Sequence, residues 1–258
     1  MKKSLAILIY AHNDEKNIKD CIESARLLSN DIHLIDIESS DDTVKIAGDL
    51  GINIHKLNFA KYVELVRETG INLVNSDWIF ILDADERITE KMAEEIKNSI
   101  KNNQITHYSI PRKNIFDGVK WLKYGGWWPD LQIRLINKIS FINWPKEIHS
   151  APYIKGISGN LKNPIVHSFH GNIEKMVEKT LIFEDIESNL LFRADKNATT
   201  LTFFRKFCGE LFRRLFKKLG FLDGPVGIIE SIYQAFSKTI TYLLLYEKKN
   251  SRTLRSLS

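Results

Sequence analysis

The feature that most constrains this chain is the run from Asn75 to Arg87, NSDWIFILDADER, in which five bulky apolar residues stop at a cluster of acids. Trp78, Ile79, Phe80, Ile81 and Leu82 follow neither a period of 2 nor one of 3.6. A short apolar run bounded by polar residues suits a strand buried on both faces, as in parallel sheets covered by helices on either side. Ligands bind at the carboxyl ends of strands in open α/β sheets, so Asp83, Asp85 and Glu86 are expected at the mouth of a crevice. Carboxylates held there suit a hard cation, Mg2+ or Mn2+, which in turn neutralises a diphosphate. With fifteen Asp in the chain, roughly one Asp-x-Asp arises by chance. The context decides more: a buried strand comes before and the helix-like ITEKMAEEIKNSI after. The competing reading has the acids only starting that helix and favouring its positive end.

The residues upstream alternate between the two periods. Ser4 to Tyr10 is expected as a strand, and Asp14 to Leu28 as a helix, from Ile18, Ile22, Ala25 and Leu28. Asp31 to Ile37 is a second strand, Asp41 to Leu50 a helix closed by Gly51 in a left-handed cap, Ile52 to Leu57 a third strand and Ala60 to Val74 a helix. This βαβαβαβ series predicts an α/β fold with a mostly parallel sheet. The start, MKKSLAILIYAHND, lacks a small-residue cleavage site and reads as the first strand, not a signal peptide. Three strand ends then converge: AHNDE after the first, DIESSDDT after the second and DADE after the central one. None carries a glycine-rich phosphate loop, so a nucleotide here would have its phosphates held by metal and not mainly by backbone amides.

In order and spacing, YAHNDE, IDIESSDDT and DADER resemble the nucleotide-sugar motifs of family 2 glycosyltransferases. The resemblance implies the GT-A fold, Rossmann-like, with a C-terminal helical extension. It places Asp36 on the uracil base, Asp83 on the ribose side, and the divalent metal on Asp85. Arg67, in RETGINLVNSDW, is placed within reach of the diphosphate, and Tyr10, His12, Asn13, Glu15, Ala84 and Trp128 complete the implied donor site. Ile37 and Glu38 stand where the family often has Ser and Gly, and Glu68 where Asn is common.

Past residue 104 the periods weaken. Ile105 to Pro111 is expected as a strand, followed by a loop and WLKYGGWWPDLQIRLIN. Its tryptophans suit either sugar-ring contacts or core packing. Asp130 lies in WWPDLQIRL, which is similar to a segment of lipopolysaccharide-core β-1,4-glucosyltransferases within the family, and is the expected general base; Glu147, in WPKEIHS, is its rival. His167 and His170, in PIVHSFHG, are candidates to complete the metal or diphosphate site.

The remainder reads as helical, with its positive charge concentrated. The whole chain of 258 residues carries a net charge of +5, and Arg205, Lys206, Arg213, Arg214, Lys217 and Lys218 crowd one short stretch with Phe203, Phe204, Phe207, Phe212 and Phe216. An aromatic face beside a cationic one suits a helix lying on an anionic membrane surface, and no apolar stretch reaches the length of a membrane span. The segment GFLDG and the helix after it are expected either to dock on membrane or to clamp the catalytic domain. Cys21 and Cys208 read as reduced thiols. The expected division is a nucleotide-sugar half at 1–110, an acceptor-side half at 111–172 and a basic, aromatic extension at 173–258. The implied activity is inverting transfer of a hexose, glucose by resemblance, from a UDP-sugar to a glycan or glycolipid acceptor. The expected location is the cytoplasm, peripheral on the inner face of the cytoplasmic membrane, with no nucleic-acid partner. The alternative is an inactive membrane-associated binding protein of the same fold.

Overall fold

The computed structural model describes residues 3–169 and 173–255. Four parallel strands open the chain: β1 (Leu5–Ala11), β2 (Ile32–Ile37), β3 (Asn53–Leu57) and β4 (Trp78–Asp83), alternating with α1 (Ile18–Ala25), α2 (Thr43–Asp49) and α3 (Glu64–Leu73). Gly51 ends the second helical segment at φ +70°, the left-handed turn expected of it. Two short elements, β5 (Glu86–Arg87) and α4 (Glu90–Ser99), follow β4. The later strands are β6 (Ile105–Phe116), β7 (Lys120–Trp121), β8 (Asp130–Asn137), β9 (Phe141–Asn143), β10 (Tyr153–Ile154), β11 (Ile157–Asn160) and β12 (Ile165–Phe169). The main sheet runs β3-β2-β1-β4-β8-β6-β12-β5, with β8 antiparallel to both its neighbours.

All five apolar residues of β4 are fully buried. Trp78, Phe80 and Leu82 face Ile18, Ile22, Met92 and Ile96 on one side of the sheet; Ile79 and Ile81 face Ile71 and Trp144 on the other. At roughly 1.5–3 kcal/mol per large apolar side chain removed from water, this strand is a principal anchor of the fold. The residues of β8, to which the sequence pattern assigns no element, form a strand, with Trp78 opposite Asn137 and Phe80 opposite Leu135.

The chain divides into two compact units, Met1–Lys113 with Pro129–Ser168 and Asn114–Trp128 with Phe169–Ser258. The loop at 114–128 thus groups with the C-terminal helices.

In the second unit, α5 (Ile173–Arg193) and α6 (Thr200–Phe212) are followed by a π-helical turn, Arg213–Lys217, a 3-10 turn, Gly220–Asp223, and α7 (Pro225–Arg255). Pro225 suits the first helical position because its missing N–H would be unpaired there in any case. α7 continues as helix to Arg255. Polar contacts join α5 to α7. The Thr180 and Tyr233 hydroxyls lie 2.7 Å apart, the Glu184 carboxylate accepts from the Ser237 hydroxyl at 2.7 Å and from that of Thr241, and the Lys248 ammonium meets Asp185 at 2.6 Å. Leu181 on α5 and Ile229, Phe236 and Leu243 on α7 are exposed.

The GFLDG segment anchors the 122–126 loop. Buried Asp223 accepts the backbone N–H groups of Lys123 at 2.9 Å and Tyr124 at 2.8 Å, while Gly125 donates to the Lys218 carbonyl at 2.8 Å. A Cβ on Gly227 would lie 2.2 Å from the Gly220 carbonyl oxygen, so the backbone there approaches too closely for any side chain.

Candidate active site

The parallel register lines up the strand ends. Ala11 sits opposite Asp36, and Tyr10 opposite Asp83, so the ends of β2, β1 and β4 lie side by side, one residue apart in register, in a row of strand ends at the carboxyl edge of the sheet. The loops after β1 and β2 are bound to each other. The Asn13 side-chain oxygen accepts the Ser40 N–H at 2.8 Å, the Glu15 carboxylate accepts the Asp42 N–H at 3.2 Å, and His12 Nδ1 donates to the Ile37 carbonyl at 2.6 Å. The side chains of Asn13 and Glu15 thus shape the rim. Asp36 is 2% exposed and accepts the Ser39 N–H at 3.3 Å.

Glu38 has φ +57°, a backbone conformation that glycine adopts without penalty, and this explains why glycine suits the position. Its carboxylate accepts the Phe59 N–H at 3.0 Å, which offsets part of the strain. Glu68, the other departure from the motif, accepts the Trp144 N–H at 3.0 Å and fixes the loop that carries Glu147.

Beyond the row, charges alternate. Arg67 Nη2 donates to Asp83 Oδ1 at 2.7 Å, and Arg134 Nη2 donates to Asp83 Oδ2 at 2.6 Å and to Glu86 Oε1 at 2.7 Å. Arg112 lies 3.6 Å from Glu86 and 2.6 Å from Asp130, whose second oxygen accepts from Gln132 at 2.7 Å. The order is Arg67, Asp83, Arg134, Glu86, Arg112, Asp130, three cations and three carboxylates in sequence of contact. Burial pushes the Asp83 carboxyl up, but the guanidinium groups of Arg134 and Arg67 outweigh it and hold the group well below the usual carboxylate range.

Two expectations change here. Glu86 is fully buried, not at the mouth of a crevice: its other oxygen accepts the Asp83 N–H at 3.0 Å, and β5 pairs with β12 so that it lies opposite His167. Arg67, expected near a diphosphate, is 4% exposed, turned onto Asp83 and stacked 4.5 Å from the Tyr10 ring. The Tyr10 hydroxyl donates to the Arg67 carbonyl at 2.8 Å, and burial raises its phenol above the ordinary tyrosine value. Gly70 makes that stack possible, since a Cβ there would lie 2.2 Å from the Tyr10 hydroxyl.

The β5–β12 pairing brings Asp85 to the imidazole of His167, Oδ2 to Nε2 at 3.5 Å, and the Asp85 carbonyl accepts the Ser168 N–H at 3.0 Å. Ala84 is buried, and its carbonyl accepts from Arg87 at 2.8 Å, closing the turn between the acids. His170 lies outside the described residues. Among the described residues no three His, Cys, Asp or Glu side chains are placed to hold a metal ion. One carboxylate and one imidazole nonetheless fit a cation such as Mn2+, or Mg2+ through the carboxylate, that takes its remaining ligands from phosphate and water.

Trp128 belongs to the second unit, edge-on to Trp121 at 5.4 Å. Glu147 is exposed, on the loop after β9. Cys21 and Cys208 are both free; burial pushes the Cys21 thiol up, and it lies 3.5 Å from the Asp83 carbonyl. Arg112 and Arg134 escape a reading of the sequence.

The description "Glycosyl transferase family 2" matches residues 6–155. The chain belongs to glycosyltransferase family 2. It has the GT-A fold. An uncharacterized glycosyltransferase of Rickettsia typhi is 23% identical to this glycosyltransferase over 95% of the chain and 87% of its own length. A second, from Rickettsia prowazekii, is 23% identical over 92% of the chain and 84% of its own. Among solved structures, S. aureus TarS 1-349 in complex with UDP-GlcNAc superposes with a TM-score of 0.52 at 13% identity, covering 96% of this chain and 92% of that one. The mannosyltransferase PcManGT from Pyrobaculum calidifontis in complex with GDP-Man and Mn2+ gives 0.51 at 10% identity, covering 91% and 74%.

Proposed function

We propose that this glycosyltransferase moves a hexose, glucose in the first instance, from UDP to a hydroxyl of a cell-surface glycan or glycolipid such as lipopolysaccharide core, with inversion. The observation that carries the reading is the shared carboxyl edge of the sheet, where Asp36 lies opposite Ala11 and Asp83 opposite Tyr10, with Asp85 and His167 beside it. Asp36, buried and accepting a long bond from the Ser39 N–H, suits the N–H of a uracil base. Asp83, fixed by two arginines, suits the ribose hydroxyls, and Arg67 acts on the donor through Asp83. Asp85 and His167 would hold Mn2+ or Mg2+, which when bound stabilises the negative charge developing on the leaving diphosphate. Asp130 takes the proton of the acceptor hydroxyl as its oxygen bonds to the anomeric carbon. The bond to the β-phosphate oxygen breaks, and its electron pair leaves with UDP.

Glu147 is a second reading for the base. Both Asp130 oxygens are engaged by Arg112 and Gln132, whereas the Glu147 side chain is exposed. Loss of turnover in Asp130→Asn with retention in Glu147→Gln supports the first assignment, and the reverse supports the second.

The same reading places the enzyme peripherally at the inner face of the cytoplasmic membrane. Among the described residues no helix is long and apolar enough to cross a bilayer. The test is donor binding and hydrolysis across UDP-, GDP- and dTDP-sugars, with Mn2+ or chelator, for the natural chain and Asp85→Ala. Metal-dependent turnover of one UDP-hexose, lost in the variant, is expected. Full activity in Asp85→Ala refutes the site, and no response to any donor points to an inactive binding protein.

A further inference from the structure

The chain's net charge of +5 is concentrated in one place. Between Thr200 and Leu222 stand six lysines and arginines and one acid, Glu210, so that segment alone carries a net charge equal to the whole. Glu210 is taken up by Arg213 at 2.5 Å and Arg214 at 2.8 Å. Among the described residues no ion pair joins Arg205, Lys206, Lys217 or Lys218 to an acid.

Several apolar residues of the same segment are exposed. Leu201, Phe204 and Phe212 are each more than half exposed and recur at positions i, i+3 and i+11, one stripe of α6. The stripe does not end with the helix. The π-helical turn carries Phe216, 56% exposed, to 5.4 Å from Phe212, and Phe221 follows at 6.5 Å from Phe216. Exposed Leu219 and Leu222 flank this row of rings. An apolar patch of this extent is unusual on a surface that faces only water.

We propose that this face, the Phe204, Phe212, Phe216 and Phe221 row with Arg205, Lys217 and Lys218 beside it, is the surface by which the protein docks on an anionic lipid bilayer. The cations complement acidic headgroups, and the rings lie at the depth of the acyl boundary. A second copy of this chain is a poor occupant, because its own +5 segment would face this one. The proposal names the contact behind the membrane-surface reading above and does not depend on the chemistry assigned to the crevice.

The test is sedimentation of the full chain with vesicles of phosphatidylethanolamine and phosphatidylglycerol, and with vesicles of phosphatidylcholine alone. Binding to the anionic vesicles that weakens with salt is expected. Phe212→Ser with Phe216→Ser should weaken it by about tenfold or more, and Arg205→Gln with Lys217→Gln and Lys218→Gln should abolish the preference for anionic lipid. Asp85→Ala should bind as the natural chain does, which separates this proposal from that for the active site. Both surface variants must keep the natural far-ultraviolet circular dichroism and soluble-donor hydrolysis. Undiminished vesicle binding by the phenylalanine variant overturns the proposal. So does equal binding to neutral vesicles, or a natural dimer that the phenylalanine substitutions dissociate.

Discussion

Replacing Arg134 by Met tests whether the alternating charges work as one unit. Arg134 is 4% exposed and bridges Asp83 at 2.6 Å and Glu86 at 2.7 Å, while Glu86 has no exposed surface. Removing one partner of a buried ion pair costs about 3–5 kcal/mol, chiefly because it leaves a charge without compensation in low dielectric. Here Glu86 would keep the Asp83 N–H at 3.0 Å and the more distant Arg112 at 3.6 Å, and Asp83 would keep Arg67. The loss should therefore fall near the low end, about 3 kcal/mol. Adding Glu86→Gln removes the stranded charge, so the double variant should recover about 2 kcal/mol of that loss, a coupling expected of residues in direct contact. Urea unfolding followed by tryptophan fluorescence measures both quantities. A single-variant loss under about 1 kcal/mol, the range of exposed pairs, or a double variant no more stable than Arg134→Met, would show that solvent screens the network and would refute the reasoning.

Three further outcomes follow from the same structure. Gly70→Ala puts a methyl 2.2 Å from the Tyr10 hydroxyl and should destabilise by about 1–3 kcal/mol, with partial recovery in combination with Tyr10→Phe, read by thermal unfolding. Asp83 has a folded-state carboxyl held well below its ordinary value near 3.9, so its contribution to stability is complete above about pH 4 and is lost as pH falls below that; acid unfolding should be less steep in Asp83→Asn. Asp223→Ala leaves the Lys123 and Tyr124 N–H groups unpaired, which should cost about 2 kcal/mol and show as faster proteolysis in the 122–126 loop, at unchanged donor binding.

What the sequence discloses is what local pattern controls. The apolar run at Trp78–Leu82 announces a two-faced strand, and the acids behind it announce a strand end; both are properties of consecutive residues. Glu86 stays hidden because its burial is set by the pairing of β5 with β12, some eighty residues later in the chain. Arg134 and Arg112 look like ordinary polar positions of strands until Asp83, Glu86 and Asp130 are brought to them, and β8 gains its strand character from lying against β4. The bonds that tie Asn13 to Ser40 and Glu68 to Trp144 likewise join segments that no local window contains.

The seam between α5 and α7 carries polar contacts as well as apolar packing. Two helices held by oily side chains lose their reason to stay together once hydrocarbon replaces the water around them, because hydrocarbon solvates those side chains as well as the partner does. Hydroxyls, carboxylates and an ammonium have no such alternative, and the Thr180–Tyr233, Glu184–Ser237 and Asp185–Lys248 contacts would tighten as the medium becomes less polar. A mild detergent, which loosens most helical hairpins, should leave this one zipped in the same register. These contacts between the pair do not need water around its outer faces in order to hold.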